Sequence, residues 1–157
     1  MSDGNYELSL PPQQQTAVDQ FLHEHNDVVI PTLKKEDLSD PGRNNERDKL
    51  FRSGKMQHPF ACWGDLNKDG LQDFAMVFVS TNAVNQYDWR DWWIVVFQGN
   101  SSGKYDPQVV SKEQAGCFSW MLYNQKTNHI RFECLEVAAG EFYWDGKRYV
   151  VRHLMGD

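Results

Sequence analysis

The hydrophobic pattern changes character near residue 59. Upstream, only one stretch is periodic: Ala17, Val18, Phe21 and Leu22 share one face of a helix expected over Gln13–His25. Pro11 and Pro12 suit its opening turn, where the missing proline N–H has no intrahelical partner to lose. Residues 1–11 read as a loose arm, and Val28–Ile30 before Pro31 as a short extended piece. Residues 34–58 are polar and mixed in charge, with Pro41-Gly42 as a turn signal. Lys34, Lys35, Arg43, Arg47, Lys49, Arg52 and Lys55 give them a local positive excess. Together, residues 12–58 form a helical and loop segment.

Downstream, residues 59–157 follow the grammar of strands and tight turns. Phe60–Trp63 is one expected strand, and the runs Phe74–Val79 and Trp92–Phe97 are strongly β-forming. Gly99-Asn100 closes the second run. Cys117–Tyr123 and His129–Val137 flank a polar turn. Glu141–Trp144 and Arg148–His153 flank Asp145-Gly146, a strong hairpin signal. There is no internal repeat. The pattern predicts a mainly β, α+β fold in which an N-terminal helix packs on an antiparallel meander sheet.

The chain has 157 residues, which is one ordinary domain. Six Trp, six Tyr and nine Phe supply large contact surfaces for a core. Lys plus Arg number 16 against 22 Asp plus Glu, a net charge of -6. That balance argues against a nucleic-acid partner, which would call for a basic stripe. It suits solubility or a basic protein partner. No run of apolar residues is long enough to span a membrane.

The most informative stretch is Asp65-Leu66-Asn67-Lys68-Asp69-Gly70-Leu71-Gln72-Asp73. Oxygen-bearing side chains recur at Asp65, Asn67 and Asp69, with Gly70 where the chain must turn and Asp73 placed to close the shell. A hard cation such as Ca²⁺ takes six to eight oxygens at about 2.3–2.6 Å, and the Leu71 carbonyl would add one. Without a cation, three carboxylates in one tight loop repel each other. The alternative is an Asx-rich turn that carries no ion. The twelfth position is Met76 and a strand follows, so this is not an EF-hand.

The segment Gly64–Ala75 resembles the calcium loop of FG-GAP or integrin-type propeller blades. The resemblance implies ligands at Asp65, Asn67, Asp69, Leu71 (through its carbonyl) and Asp73. A propeller needs several copies, and the motif occurs once. The chain looks more like small secreted bacterial proteins that carry one such loop in a compact sheet. Their C-terminal hairpins are similar to Phe142–Tyr149, and some periplasmic inhibitor and immunity proteins share this character.

Three cysteines occur, Cys62, Cys117 and Cys134, with no C-x-x-C. Cys117 and Cys134 sit symmetrically about Gln125-Lys126, so a hairpin turning there would set them opposite each other, close enough for a disulfide. The alternative is three reduced core thiols. A disulfide and a weak calcium site both point outside the cytosol. Residues 1–5 lack the basic and apolar regions of a signal peptide. The expectation is a periplasmic or secreted protein whose leader is missing from this chain.

His23 and His25 are two apart and face different sides of a helix, so they do not chelate as a pair. No nucleophile elbow or phosphate-cradling glycine loop appears. Tyr87, Asp88, Trp89, Arg90 and Asp91 interleave aromatics with charge, the chemistry of protein-contact hot spots. The plainer alternative is that Trp92 and Trp93 simply open a strand. These features lead to the expectation of a non-enzymatic protein with structural Ca²⁺. It would bind another protein, with inhibition of a basic, cell-wall-degrading enzyme, or immunity to it, as the sharpest form. The alternatives are a hydrolase with a non-local site and a carbohydrate-binding module.

Overall fold

A computed structural model describes residues 5–6, 8–34, 49–50, 53–54, 56–82, 89–115, 118–134 and 138–154. In chain order these form β1 (Asn5–Tyr6), α1 (Pro12–Glu24), β2 (Val28–Val29), β3 (Leu33–Lys34), β4 (Ala61–Gly64), β5 (Asp73–Ser80) and β6 (Arg90–Gly99). There follow β7 (Tyr105–Ala115), β8 (Phe118–Asn124), β9 (His129–Cys134), β10 (Ala138–Trp144) and β11 (Tyr149–Leu154). Every strand pairing is antiparallel, and the fold is mainly β with an N-terminal helix, as the pattern predicts.

The strands divide into two large sheets rather than one. A five-stranded sheet runs β2-β5-β6-β7, with β4 pairing the start of β5 beside Asp73–Met76. A four-stranded meander runs β11-β10-β9-β8. The two-residue pair β1-β3 lies partly within the segment that reads as a loose arm.

The continuous apolar runs in β5 and β6 have a physical cause: both faces of this sheet are covered. Phe74, Met76 and Phe78, with Trp93, Val95 and Phe97, face α1 and meet its Ala17, Val18 and Phe21. Ala75 and Val77, with Trp92, Ile94 and Val96, face the meander and meet Phe118, Met121, Ile130, Phe132 and Phe142. The molecule is therefore a helix–sheet–sheet stack, and a strand buried on both faces has no polar alternation to show. Each fully buried Phe contributes about 1.5–3 kcal/mol. Phe74 stacks on Phe97 with ring centroids 4.6 Å apart, and Phe21 lies 4.9 Å from Phe78.

Helix α1 opens on Pro12 and closes where the His25 N–H donates to the Phe21 carbonyl. Its buried Gln14 is engaged at both ends of its amide. The amide oxygen accepts from Trp63 Nε1 at 3.0 Å, and the amide nitrogen donates to the Tyr105 hydroxyl at 3.3 Å. A polar pin therefore fixes the helix over β4 and β7.

Strand β7, which the pattern does not announce, is the sheet's outer edge. It carries Pro107, and Val110 is an extra residue where the register against β6 shifts. Proline and a bulge on an edge strand block further pairing. The Asp145-Gly146 hairpin forms as expected. Gly146 has φ 104, and the Asp145 carboxylate accepts from the Lys147 and Arg148 N–H groups. Those backbone donors hold the Asp145 carboxyl below its ordinary range.

Candidate metal centre

The loop between β4 and β5 spans the turn from Gly64 to Asp73, and its carboxylates bend the chain before any ion is considered. Asp65 Oδ1 accepts from the Asp69 N–H at 3.1 Å, and Oδ2 from the Gly70 N–H at 2.9 Å. Asp69 Oδ1 accepts from the Leu71 N–H at 2.9 Å. Lys68 has φ 61 and Gly70 φ 87, so the backbone curls through the left-handed region twice. Glycine enters that region without steric cost, whereas Lys68 does so under strain.

The curl brings Asp65, Asp69 and Asp73 together: one carboxylate oxygen from each lies within 4.8 Å of the other two. This acidic cluster could hold a metal ion. Asn67 and Leu71, the other expected ligands, occupy loop positions between them. The Asn67 Oδ1 atom is shielded from solvent and has no hydrogen-bond partner. A buried carbonyl oxygen left unpaired costs about 1–3 kcal/mol, and such oxygens are rare. It is also the atom type a hard cation seeks. The donor set therefore fits an oxygen-loving divalent ion.

Asp73 anchors the site. It is fully buried, yet both oxygens are engaged: Oδ2 accepts from Leu66 N–H at 2.8 Å and Asn67 N–H at 3.3 Å, and Oδ1 from Gly99 N–H at 2.9 Å. Burial raises its pKa, the three N–H donors oppose that, and the nearby Asp69 charge raises it further. The negative field reaches neighbouring phenols. Burial raises the pKa values of Tyr123 and Tyr149, and carboxylates of the loop add to the shift in both.

The loop also joins the two sheets. Through Gly99, Asp73 holds the end of β6. Through the Leu66 carbonyl, the loop takes a hydrogen bond from Asn128 Nδ2 at 3.1 Å, in the turn between β8 and β9. A Cβ built on Gly64 would lie 2.4 Å from the Tyr123 ring, so a side chain there would have to displace that ring. Beside the loop, a recess of about 410 Å³ is lined by Trp63, Gly64, Asp65, Lys68, Tyr123 and Gln125. Gly99, Tyr123 and Asn128 lie far from the motif in sequence. Only local turn chemistry marks Asn128, so sequence reasoning does not find these three.

The remaining expected sites fare differently. Tyr87 and Asp88 lie outside the described residues. Trp89 and Asp91 are half-buried. Arg90 turns back onto its own hairpin, donating to the Thr81 carbonyl at 2.7 Å and the Ser80 carbonyl at 3.3 Å. Trp92 and Trp93 are only 8% and 7% exposed and face opposite cores, so they offer no stacking platform for a sugar. Cys117 lies outside the described residues, and the proposed Cys117–Cys134 bond with it. Cys134 is buried opposite Phe118. Cys62 is buried and its thiol is pushed up to about 12, chiefly by burial.

Two other titratable groupings stand out. Glu113 takes Ser111 Oγ at 3.2 Å and His153 Nε2 at 2.5 Å. Glu141 accepts from His129 and Arg152 on the outer face of the meander. In the first, the carboxylate bridges hydroxyl and imidazole. With this geometry established, comparison with known proteins adds no relative: no protein-family model, no curated protein and no solved structure matches the chain.

Proposed function

We propose that this chain is a calcium-braced binding protein of the extracytoplasmic space. In this reading the ion is structural, held by Asp65, Asn67, Asp69, the Leu71 carbonyl and Asp73. The observation that carries the reading is the convergence of three carboxylates around a loop whose Asn67 carbonyl oxygen is buried and unpaired. Calcium suits the site better than magnesium. It tolerates irregular shells of many protein oxygens, whereas magnesium demands a near-octahedral shell and keeps several waters. The loop's likeness to FG-GAP calcium loops supports the same choice.

The binding role rests on the rigidity of the metal end and on the acidic balance of the chain. A protein partner, with a basic enzyme as the form best matched to net charge -6, is recognised in this proposal around Trp89 and the hairpin that carries it.

The test is isothermal titration of chelator-stripped protein with calcium and, separately, with magnesium. One calcium per chain is expected, with weaker magnesium binding, and no calcium binding in Asp69→Ala. Asp69 is the variant of choice because it is exposed and holds only one backbone N–H. Heat-silent titrations in wild type, with no calcium retained on equilibrium dialysis, would remove the proposal.

A further inference from the structure

A residue from the other sheet reaches the acidic loop. Asn128 sits at the end of the β8–β9 turn with φ 59, a left-handed conformation that asparagine tolerates better than most residues. Its side chain bridges two groups. Nδ2 donates to the Leu66 carbonyl at 3.1 Å, and Oδ1 accepts from the Tyr123 hydroxyl at 2.7 Å. The assignment is forced, because the Leu66 carbonyl can only accept and so must face the amide nitrogen.

The Leu66 residue is thus held from both sides. Its N–H is gripped by Asp73, a candidate ligand, and its carbonyl by Asn128. Its side chain is 1% exposed, which removes the remaining freedom. The peptide unit of the Leu66 carbonyl also carries the Asn67 N–H, which points to Asp73 Oδ2. The bond from Asn128 therefore fixes the peptide orientation from which both the Asn67 side chain and the Asp73 contact follow. It also keeps the Leu66 oxygen turned to the meander.

We propose that Asn128 is a positioning residue for the cation site. It touches no ligand oxygen, and it sets the loop geometry from the opposite sheet through the Leu66 carbonyl. This rests on the calcium reading above. Outer-shell partners of this kind typically change metal affinity 10–100-fold when removed.

The test compares wild type with Asn128→Gly, which keeps the left-handed backbone, and Asn128→Asp, which keeps shape and the Tyr123 contact but cannot donate to Leu66. Calcium dissociation constants are measured by titration well below each protein's own melting temperature, with terbium luminescence as a second readout. At least tenfold weaker binding is expected in both. For Asn128→Asp this is the opposite of what its added negative charge alone would do. A purely structural role would lower the metal-free melting temperature and leave the dissociation constant of the folded protein unchanged. Unchanged or tighter binding in either folded variant overturns the proposal. If Asn128→Gly does not fold, Asn128→Asp decides alone. Absence of calcium binding in wild type would defeat the calcium reading itself, and is separable on that ground.

Discussion

Asp73 shows why a residue readable as a metal ligand can matter without the metal. Truncating it would strand the N–H groups of Leu66, Asn67 and Gly99. Only the Leu66 bond is fully buried, so at about 1–3 kcal/mol per buried unpaired donor Asp73→Ala should lose about 1–3 kcal/mol even in chelator. Asp69→Ala should lose well under 1 kcal/mol there, since one exposed bond is removed. Urea denaturation of both in EDTA checks the contrast, and equal losses would contradict it. His58 carries a pH effect. It is buried, its Nδ1 accepts from the Phe60 N–H at 3.0 Å, and burial lowers its pKa from 6.5 to about 4. Between those values the unfolded chain binds the extra proton and the folded one does not. Stability therefore falls as pH drops from about 6.5 to about 4, by roughly 3 kcal/mol in full. His58→Asn, which keeps an acceptor and cannot titrate, should flatten that part of the pH profile of urea midpoints. An unchanged slope would contradict the assignment. The acidic cluster of Asp65, Asp69 and Asp73 was legible because its spacing is local. The partners of Asp73 and Leu66 were not, because Gly99 and Asn128 reach the loop only after the sheets have formed.

At the level of elements, sequence legibility followed burial. The runs in β5 and β6 announced themselves because both faces are covered, and α1 did so through its apolar stripe. The Asp145-Gly146 hairpin was readable from turn chemistry alone. Strand β7 was not, for a physical reason: as an edge strand it holds Pro107, a bulge and mostly exposed side chains, so neither alternation nor an apolar run survives. The joint between β6 and the Gly64–Asp73 loop yields a prediction of its own. A Cβ on Gly99 would lie 2.3 Å from the Gln72 carbonyl oxygen, a backbone atom with little room to move. Gly99→Ala should therefore cost about 1–3 kcal/mol by overpacking and should also weaken calcium binding, because the Gly99 N–H is a partner of Asp73. Denaturation paired with calcium titration checks both, and wild-type values in each would contradict the geometry.

For the whole molecule, the pattern gave the class of fold and the helix, and left the division into two sheets unread. The same apolar strand serves one layer or two, and only the tertiary partners decide. That division changes the meaning of the aromatic cluster. Trp92 and Trp93 belong to the cores on either side of the central sheet, which leaves half-buried Trp89 as the described aromatic of that cluster outside the cores. Trp89→Ala should abolish capture of a protein partner from a periplasmic extract while shifting Tm little, which melting and pull-down on one preparation would show. A collapsed fold, or full-strength capture, would contradict it. The central claim is that a calcium ion braces the end where the two sheets meet. Thermal melts of chelator-stripped protein in EDTA and in saturating calcium test it most directly. At a hundredfold excess over Kd the folded state should gain about 2.7 kcal/mol, a Tm rise on the order of 5–10 °C that is absent in Asp69→Ala. Coincident melts of the wild-type protein in the two conditions would contradict the account.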